Sequence, residues 1–415
     1  MDTGENDYFL RFWHEVNIKH IQVDSSIEKW VPYNKGGEYR KWYGNREFVV
    51  NWENGGQEIK SRLSWDRKKP TLRNQNYYFR EGFSWTTVTS KKLSARYSPP
   101  VALFDNGGCT LFADKHLMLL GSFLNSRIAD RYLEFLSPTI NYQPGEISNI
   151  LFLKKSLNLN GIESEICVKI TKNDWDSYER SWDFKGLSLL RRKFHRDTLA
   201  STYTALREHW RSTTLEMQRL EEENNRIFIE AYGLEDELDP DVPQEEITLT
   251  CNPHYRYNGK KTEEELEALL LEDTMKEFIS YAVGCMFGRY SLDEPGLILA
   301  NQGDTLATYL AQIPEPTFLP DDDNVIPILD EGWFEDDIVE GFKHFLRVTF
   351  GEEHYQENLD FLEEAIGRDI RSFFLKDFYK YHCKMYSKPY YGKRPIYWMF
   401  SSPEGSFKAL IYMHR

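Results

Sequence analysis

The sequence predicts an α+β fold in three successive parts: a β-rich part, a helical spacer and a mainly helical part. Short apolar runs bounded by Gly, Asn and Pro occur up to about residue 184, and such runs are typical of short strands. A long apolar repeat at helical spacing follows, and amphipathic helical patterns dominate after it. We therefore predict domains at 1–184, 185–235 and 236–415.

The first part contains strands, turns and one long helix by its pattern. Apolar runs at 48–50 and 101–104 are strand candidates, and the Asn-Gly-Gly triplets at 54–56 and 106–108 are turn signals. Apolar residues recur at three- and four-residue spacing over 116–136, and a Ser-Pro pair ends this repeat. The spacing predicts a single helix there.

The spacer is predicted to be one helix of about 34 residues, 198–231, because its apolar positions alternate every four and three residues. Tyr232-Gly233 ends the helix, with glycine at the usual C-terminal position. An acidic segment with two prolines, 234–246, follows and is interpreted as a linker.

Helical signals dominate the third part. Thr262 and Glu265 form a capping box at the start of one amphipathic helix. Two more helices are predicted near 337–348 and 358–381. The aromatic C-terminal segments are predicted to be strands or a buried tail.

The formal net charge of −15 is divided unequally along the 415 residues. Residues 1–200 sum to +6, and residues 201–415 sum to −21. The most basic stretch, 60–98, holds ten Lys and Arg against two acids, with seven aromatic residues among them. Such a stretch in an acidic protein favours a polyanionic partner such as DNA, and a solvated basic sheet is the alternative.

Composition excludes several other classes. No apolar run approaches the roughly 18 residues that a membrane helix needs. The acidic N-terminal segment lacks the apolar core of a signal peptide. The five cysteines are odd in number and too widely spaced for zinc or a redox pair, so we expect a cytoplasmic protein without a membrane partner.

Asn252-Pro253-His254-Tyr255 is the strongest catalytic candidate, because DNA amino-methyltransferases hold a flipped base with an Asp/Asn-Pro-Pro-aromatic tetrad. Its third residue is His, however, and no Phe-x-Gly-x-Gly loop for S-adenosylmethionine precedes it. We therefore interpret the tetrad as a structural turn. No catalytic, cofactor-binding or metal-binding residue is assigned in this chain.

Candidate DNA-binding side chains concentrate in the basic stretch. Long cationic side chains suited to phosphate are Arg67, Lys68, Lys69, Lys91 and Lys92. Guanidinium groups suited to guanine edges are those of Arg73, Arg80 and Arg96. Ser84 and Thr86 offer short donors to phosphate, and Trp85 is either a stacking residue or a core residue.

Several long motifs resemble PglX, the adenine-specific DNA methyltransferase family of BREX phage-defence systems. The motifs that resemble its target-recognition region are Thr3-Gly4-Glu5-Asn6-Asp7-Tyr8-Phe9, Tyr78-Phe79-Arg80-Glu81-Gly82-Phe83-Ser84-Trp85-Thr86 and Leu93-Ser94-Ala95-Arg96-Tyr97. The segment Ser137-Pro138-Thr139-Ile140-Asn141-Tyr142-Gln143 resembles a strand of the same region. Two further segments resemble the C-terminal region of the PglX family: Gly284-Cys285-Met286-Phe287-Gly288-Arg289-Tyr290 and Lys393-Arg394-Pro395-Ile396-Tyr397-Trp398-Met399-Phe400.

The resemblance covers nearly the whole chain and implies that the chain corresponds to the C-terminal portion of such an enzyme. It implies recognition of double-stranded DNA for N6-adenine methylation of host DNA, and it adds Asn141 and Gln143 to the DNA-binding candidates. The methyl-transfer domain and its S-adenosylmethionine would lie outside this chain, which alone is expected to be inactive. Further implied partners are the N-terminal methyltransferase domain and other BREX proteins. Apart from the resemblance, an anionic phage inhibitor that mimics DNA is a candidate occupant of the basic face.

Two alternatives remain open from the residues. A protein-interaction module would use the acidic half to recruit defence partners. A carbohydrate-active enzyme would require two carboxylates that flank a cleft, and the sequence identifies no such pair.

Overall fold

A computed structural model describes residues 1–22, 28–62, 72–137, 139–159, 162–332, 334, 336–388, 391–403 and 407–414. The fold of these residues is α+β, as the sequence predicts. The chain divides into two compact units. The first unit is Met1–Trp175 with Arg211–Asn258, and the second is Asp176–Trp210 with Gly259–Arg415. These bounds differ from the three predicted segments because the spacer helix contributes residues to both units; the functional domains 1–184, 185–235 and 236–415 stay a prediction.

The first unit carries two small sheets. Its described strands are β1 (Leu10–Phe12), β2 (Trp30–Asn34), β3 (Phe48–Asn51), β4 (Gly82–Thr86), β5 (Ala95–Ser98), β6 (Leu103–Phe104) and β7 (Gly108–Leu111). One sheet has the order β1-β3-β2-β6, with a parallel β2–β6 pair, and the other has the antiparallel order β5-β4-β7. The strand predicted at 48–50 is confirmed as β3, and β6 covers the last two residues of the run predicted at 101–104.

Short helices surround these sheets, and one long helix links the two parts of the chain. The first described helices are α1 (Asn6–Phe9), α2 (Glu53–Ser61), α3 (Leu117–Leu124), α4 (Arg127–Leu136), α5 (Pro144–Ser148), α6 (Ile162–Trp175), α7 (Leu199–Tyr232) and α8 (Pro253–Arg256). Helix α7 confirms the predicted spacer helix within one residue at each end.

The single helix predicted over 116–136 is wrong in one respect: it is two helices. The Ser126 hydroxyl caps α4 by accepting a hydrogen bond from the amide of Ala129, which starts a new helix. The side chain of Asn125 bonds both backbone groups of Ala95 on β5, at 2.8 and 3.0 Å. This side chain therefore joins the break between the helices to the sheet.

The second unit is mainly helical. Its further helices are α9 (Glu263–Met286), α10 (Leu306–Gln312), α11 (Ile338–Phe350), α12 (Tyr355–Ile366), α13 (Ile370–Phe373), a π-helical turn (Phe374–Phe378) and α14 (Tyr379–Met385). The capping box of Thr262 and Glu265 is confirmed at the start of α9. The helix predicted over 358–381 is interrupted, because Gly367 ends α12 in the left-handed conformation at φ +71°.

The aromatic C-terminal segments form strands, one of the two alternatives that the sequence predicts. The described strands of this unit are β8 (Val325–Ile328), β9 (Ser387–Lys388), β10 (Gly392–Lys393), β11 (Tyr397–Ser401) and β12 (Lys408–Tyr412). Strands β11, β12 and β8 form an antiparallel sheet in that order, and β9 pairs with β10 as a short hairpin. None of the helices in the described ranges is long and apolar enough to cross a membrane.

Candidate nucleic-acid interface

Backbone pairing brings two predicted segments of the interface together in the first unit. The amide of Tyr142 donates to the carbonyl of Thr87 at 2.6 Å, and the amide of Thr89 donates to the carbonyl of Ile140 at 3.0 Å. The indole of Trp85 donates to the carbonyl of Tyr142 at 2.9 Å. The loop after β4 and the loop before α5 therefore lie side by side, although they are about 50 residues apart in sequence. We call residues 87–92 and 139–143 the paired loops.

The paired loops present polar side chains to solvent. Lys91 is exposed, and its ammonium lies 5.5 Å from the ring centroid of Tyr39. Gln143 is exposed and Asn141 is half-buried; the Gln143 amide donates to Asn141 Oδ1 at 2.7 Å. The paired loops therefore offer one ammonium suited to phosphate and two side-chain amides suited to adenine edges.

Arg73 and Arg80 lie apart from the paired loops in sequence, on the segment that leads into β4. Arg73 is exposed. Arg80 is half-buried, its guanidinium lies 2.6 Å from Asp114, and it also stacks 5.3 Å from the ring centroid of Tyr77. Since the carboxylate of Asp114 is 89% exposed, this ion pair is worth at most about 1 kcal/mol. Arg80 can therefore exchange Asp114 for another acceptor at low cost.

Three predicted site residues are buried instead. Arg96 is 4% exposed and donates to the carbonyl of Arg40 and to the hydroxyl of Thr86, both at 3.2 Å. Burial lowers the pKa of Arg96 to about 10, and the neighbouring charge of Arg40 adds to this. Ser84 and Trp85 are also buried in β4. In this structure the three side chains lie beneath the surface and support the loops. Trp85 is a core residue, which is one of the two interpretations that the sequence allowed.

Thr86 and Lys92 link the surface of the first unit to buried residues. The hydroxyl of Thr86 donates to the carbonyl of Gly37 at 3.0 Å. The ammonium of Lys92 lies 2.7 Å from Glu246 and 3.7 Å from Asp130. Burial alone would raise the pKa of Glu246, but the hydrogen bond from Lys92 and the nearby charges hold that pKa below its usual value. Lys92 is thus an internal ion-pair residue as well as a candidate phosphate contact. Arg67, Lys68 and Lys69 lie outside the described residues.

A polar pocket lies behind Lys92, with a volume of about 290 Å³ including its open mouth. Its lining residues are Tyr39, Lys41, Leu93, Asn125, Arg127, Asp130, Glu221, Asn225, Val242 and Glu246. Lys41 forms a buried ion pair with Glu221 of α7, and the indole of Trp42 donates to the same carboxylate at 2.8 Å. This network is not predictable from local sequence patterns, because its partners are about 180 residues apart.

The tetrad that begins at Asn252 is confirmed as a structural turn. Asn252 is buried; its amide donates to the carbonyls of Gln244 and Ile247 at 2.8 and 2.9 Å, and its oxygen accepts from the amide of His254. The hydroxyl of Tyr255 donates to the carbonyl of Tyr39 at 2.6 Å. The polar atoms that would hold a flipped base are therefore engaged within the chain.

Comparison with known proteins places the whole chain beside adenine-specific methyltransferases, although no protein-family model matches it. It is 38% identical over 441 aligned residues to the adenine-specific methyltransferase PglX of Lacticaseibacillus casei (strain Zhang). It is 35% identical over 436 aligned residues to the adenine-specific methyltransferase BrxX of Escherichia coli O9:H4 (strain HS).

The resemblance to PglX is thereby confirmed. All of this chain is aligned in both comparisons, but only 34% and 35% of the two relatives. The chain spans about a third of the length of the curated relatives it matches, consistent with a C-terminal portion of such a protein.

Proposed function

We propose that this chain is the DNA-recognition portion of a BREX adenine-specific DNA methyltransferase. The observation that carries the proposal is the alignment of the whole chain with a third of two adenine-specific methyltransferases. The exposed cations and amides of the first unit support it. The methyl-transfer domain, with its S-adenosylmethionine, lies outside this chain, so the chain alone positions DNA and transfers no methyl group.

The proposed DNA surface is formed by the paired loops and the segment before β4. Lys91 binds phosphate, and the amides of Asn141 and Gln143 read adenine edges in the major groove. Arg73 and Arg80 contribute guanidinium groups to bases or phosphates. Arg67, Lys68 and Lys69 remain proposed phosphate contacts, and Ser84, Trp85, Thr86, Lys92 and Arg96 hold the surface in place.

The proposal includes partners and a setting. Double-stranded DNA is the substrate, and the N-terminal methyltransferase domain receives the target adenine after it is flipped from the duplex. Other BREX proteins join in the cytoplasm, and a phage inhibitor that mimics DNA would compete for the same surface through its negative charge.

Selection of bound duplexes from a randomised DNA pool, followed by sequencing, tests the proposal. We expect the intact chain to enrich a short motif, and Gln143→Ala to relax the choice at one position of it. Arg131→Ala is the control, because Arg131 is exposed and forms a surface ion pair with the neighbouring side chain of Glu134. Recovery of random sequence by the unmodified chain would reject the proposed function.

A protein-interaction role is the second candidate, favoured by the charge of −21 over residues 201–415. In that role the acidic half recruits BREX proteins. Capture of those proteins by variants that no longer bind DNA would support this role, and capture only through bound DNA would reject it.

A further inference from the structure

The C-terminal segment of the second unit is basic, whereas the sequence before it is acidic. Residues 201–370 sum to −28, whereas residues 371–415 hold nine Lys and Arg against two acids and sum to +7. Among the described residues of this last segment, Asp377 is the acidic one, and it already pairs with Arg368. A local excess of this size at the end of an acidic region is the electrostatic mark of a polyanion-binding surface.

Helix α14 presents part of this charge on one face. Lys380 and Lys384 are four residues apart, so they lie on the same side of the helix, and both are exposed. His382, on the opposite side, is buried, and so is its neighbour Cys383. Lys380 is 80% exposed at its side chain and approaches Asp377 only at 4.0 Å, so this contact restrains it little.

The β9–β10 hairpin joins the same region. Lys393 is exposed on β10, and the amide of Arg394 donates to the carbonyl of Tyr386, just after α14, at 2.8 Å. The amides of Ile396 and Tyr397 donate to the imidazole of His382 at 3.2 and 3.1 Å. These hydrogen bonds therefore join helix α14 to the β9–β10 hairpin and to the first residue of β11.

Two exposed aromatic rings lie on β11, the strand that follows these cations in the sequence. Trp398 and Phe400 alternate with buried Tyr397 and half-buried Met399 on β11, so they share the outward face of an edge strand. They are 49% and 53% exposed. Exposed rings beside Lys and Arg are the pairing that binds unstacked bases and the sugar–phosphate backbone.

We propose that Lys380, Lys384, Lys393 and Arg394, with Trp398 and Phe400, form a second DNA-binding surface in the second unit, which contacts the backbone without reading sequence. We call it the C-terminal basic surface. The inference rests on the proposed function for the identity of the polyanion. It differs from the recognition surface, because the second unit contributes no residue to the paired loops.

Fluorescence anisotropy of the intact chain with mixed-sequence duplexes, over a salt series, tests this surface. We expect K380Q/K384Q to weaken binding to every duplex and to lower the slope of log affinity against log salt by about 2, for two lost phosphate contacts. The matched control is K260Q/K261Q, which removes two exposed lysines from the same unit and the same net charge. Equal affinity of the parent and K380Q/K384Q, or equal losses in both variants, would overturn the proposal.

A single-stranded DNA arm identifies the form of DNA that the aromatic rings contact. If Trp398 stacks on a base, Trp398→Ala lowers single-strand affinity about fivefold or more, and duplex affinity less. An effect on neither form would overturn the role of the ring.

Anisotropy and the selection from a randomised DNA pool together separate this inference from the proposed function. If Gln143→Ala loses sequence preference while K380Q/K384Q keeps the affinity and the salt slope of the parent, the C-terminal basic surface alone is rejected. Uniform weakening in K380Q/K384Q without any sequence preference in the parent would reject the proposed recognition function and retain this surface.

Discussion

The side chain of Arg96 shows why residue type alone does not place a DNA contact. Arg96 has the same chemistry as Arg73, but Arg96 donates to the backbone of Arg40 and is buried, whereas Arg73 is exposed. Its partner is 56 residues away in sequence, so no local pattern reports its burial. The sequence shows which residue types are suited to DNA, but how deeply each side chain is buried depends on distant packing.

The buried pair of Lys41 and Glu221 gives a stability prediction. Glu221→Ala would leave the Lys41 ammonium buried without its carboxylate, so we expect a loss of about 3–5 kcal/mol of unfolding free energy. Urea denaturation measures it. Arg219→Ala, on the same helix, removes an exposed pair with Glu216 and should leave the free energy of unfolding nearly unchanged. Similar losses in both variants would contradict the structural role of the buried pair.

Glu179 gives a prediction about pH. Burial raises the pKa of its carboxyl from 4.5 to about 7, although Arg289 and the hydroxyl of Ser280 act in the opposite direction. The folded state therefore binds this proton more tightly than the unfolded state, and its contribution to stability falls as pH rises from about 4.5 to 7. We expect Glu179→Gln to gain stability relative to the parent across this window, measured by denaturation at several pH values. A constant difference between the two proteins would contradict the assignment.

At the scale of elements, helices with caps and long repeats were predictable, and the small sheets were predictable only in part. Thr262 marks the start of α9 in sequence because its capping box is local. The break at Ser126 was missed, since the apolar repeat continues through it and the sheet contact of Asn125 is not local. The pairing of the loops 87–92 and 139–143 follows from tertiary packing, which a periodic pattern does not encode.

The packing of α3 against β4 supplies an element-scale prediction. A Cβ at Gly121 would lie 2.3 Å from the ring of Phe83, which is fully buried. We expect Gly121→Ala to separate α3 from the strand below the paired loops and to cost about 1–3 kcal/mol in denaturant unfolding. Gly145→Ala is the control, because among the described residues no atom outside its chain neighbours and its own helix backbone lies within 4 Å of its Cβ position. Equal stability of the two variants would show that α3 does not support β4 in this way.

At the scale of the whole molecule, charge is arranged by region. The basic stretch 60–98 was visible in the sequence, and the described part of it places Lys91 and Arg73 at the surface. The summed charge of −21 over residues 201–415 conceals the +7 charge of residues 371–415, because the other residues of this 215-residue half are strongly acidic. Local charge sums therefore show basic segments that sums over halves of the chain conceal.

Fluorescence anisotropy of the intact, unmodified chain with duplex DNA over a salt series is the most direct test of the central claim, that this chain binds DNA for a methyltransferase. We predict binding at low salt, with log affinity that falls linearly and steeply against log salt as counterions are released from the phosphates. Absence of binding at the lowest salt concentration would contradict it.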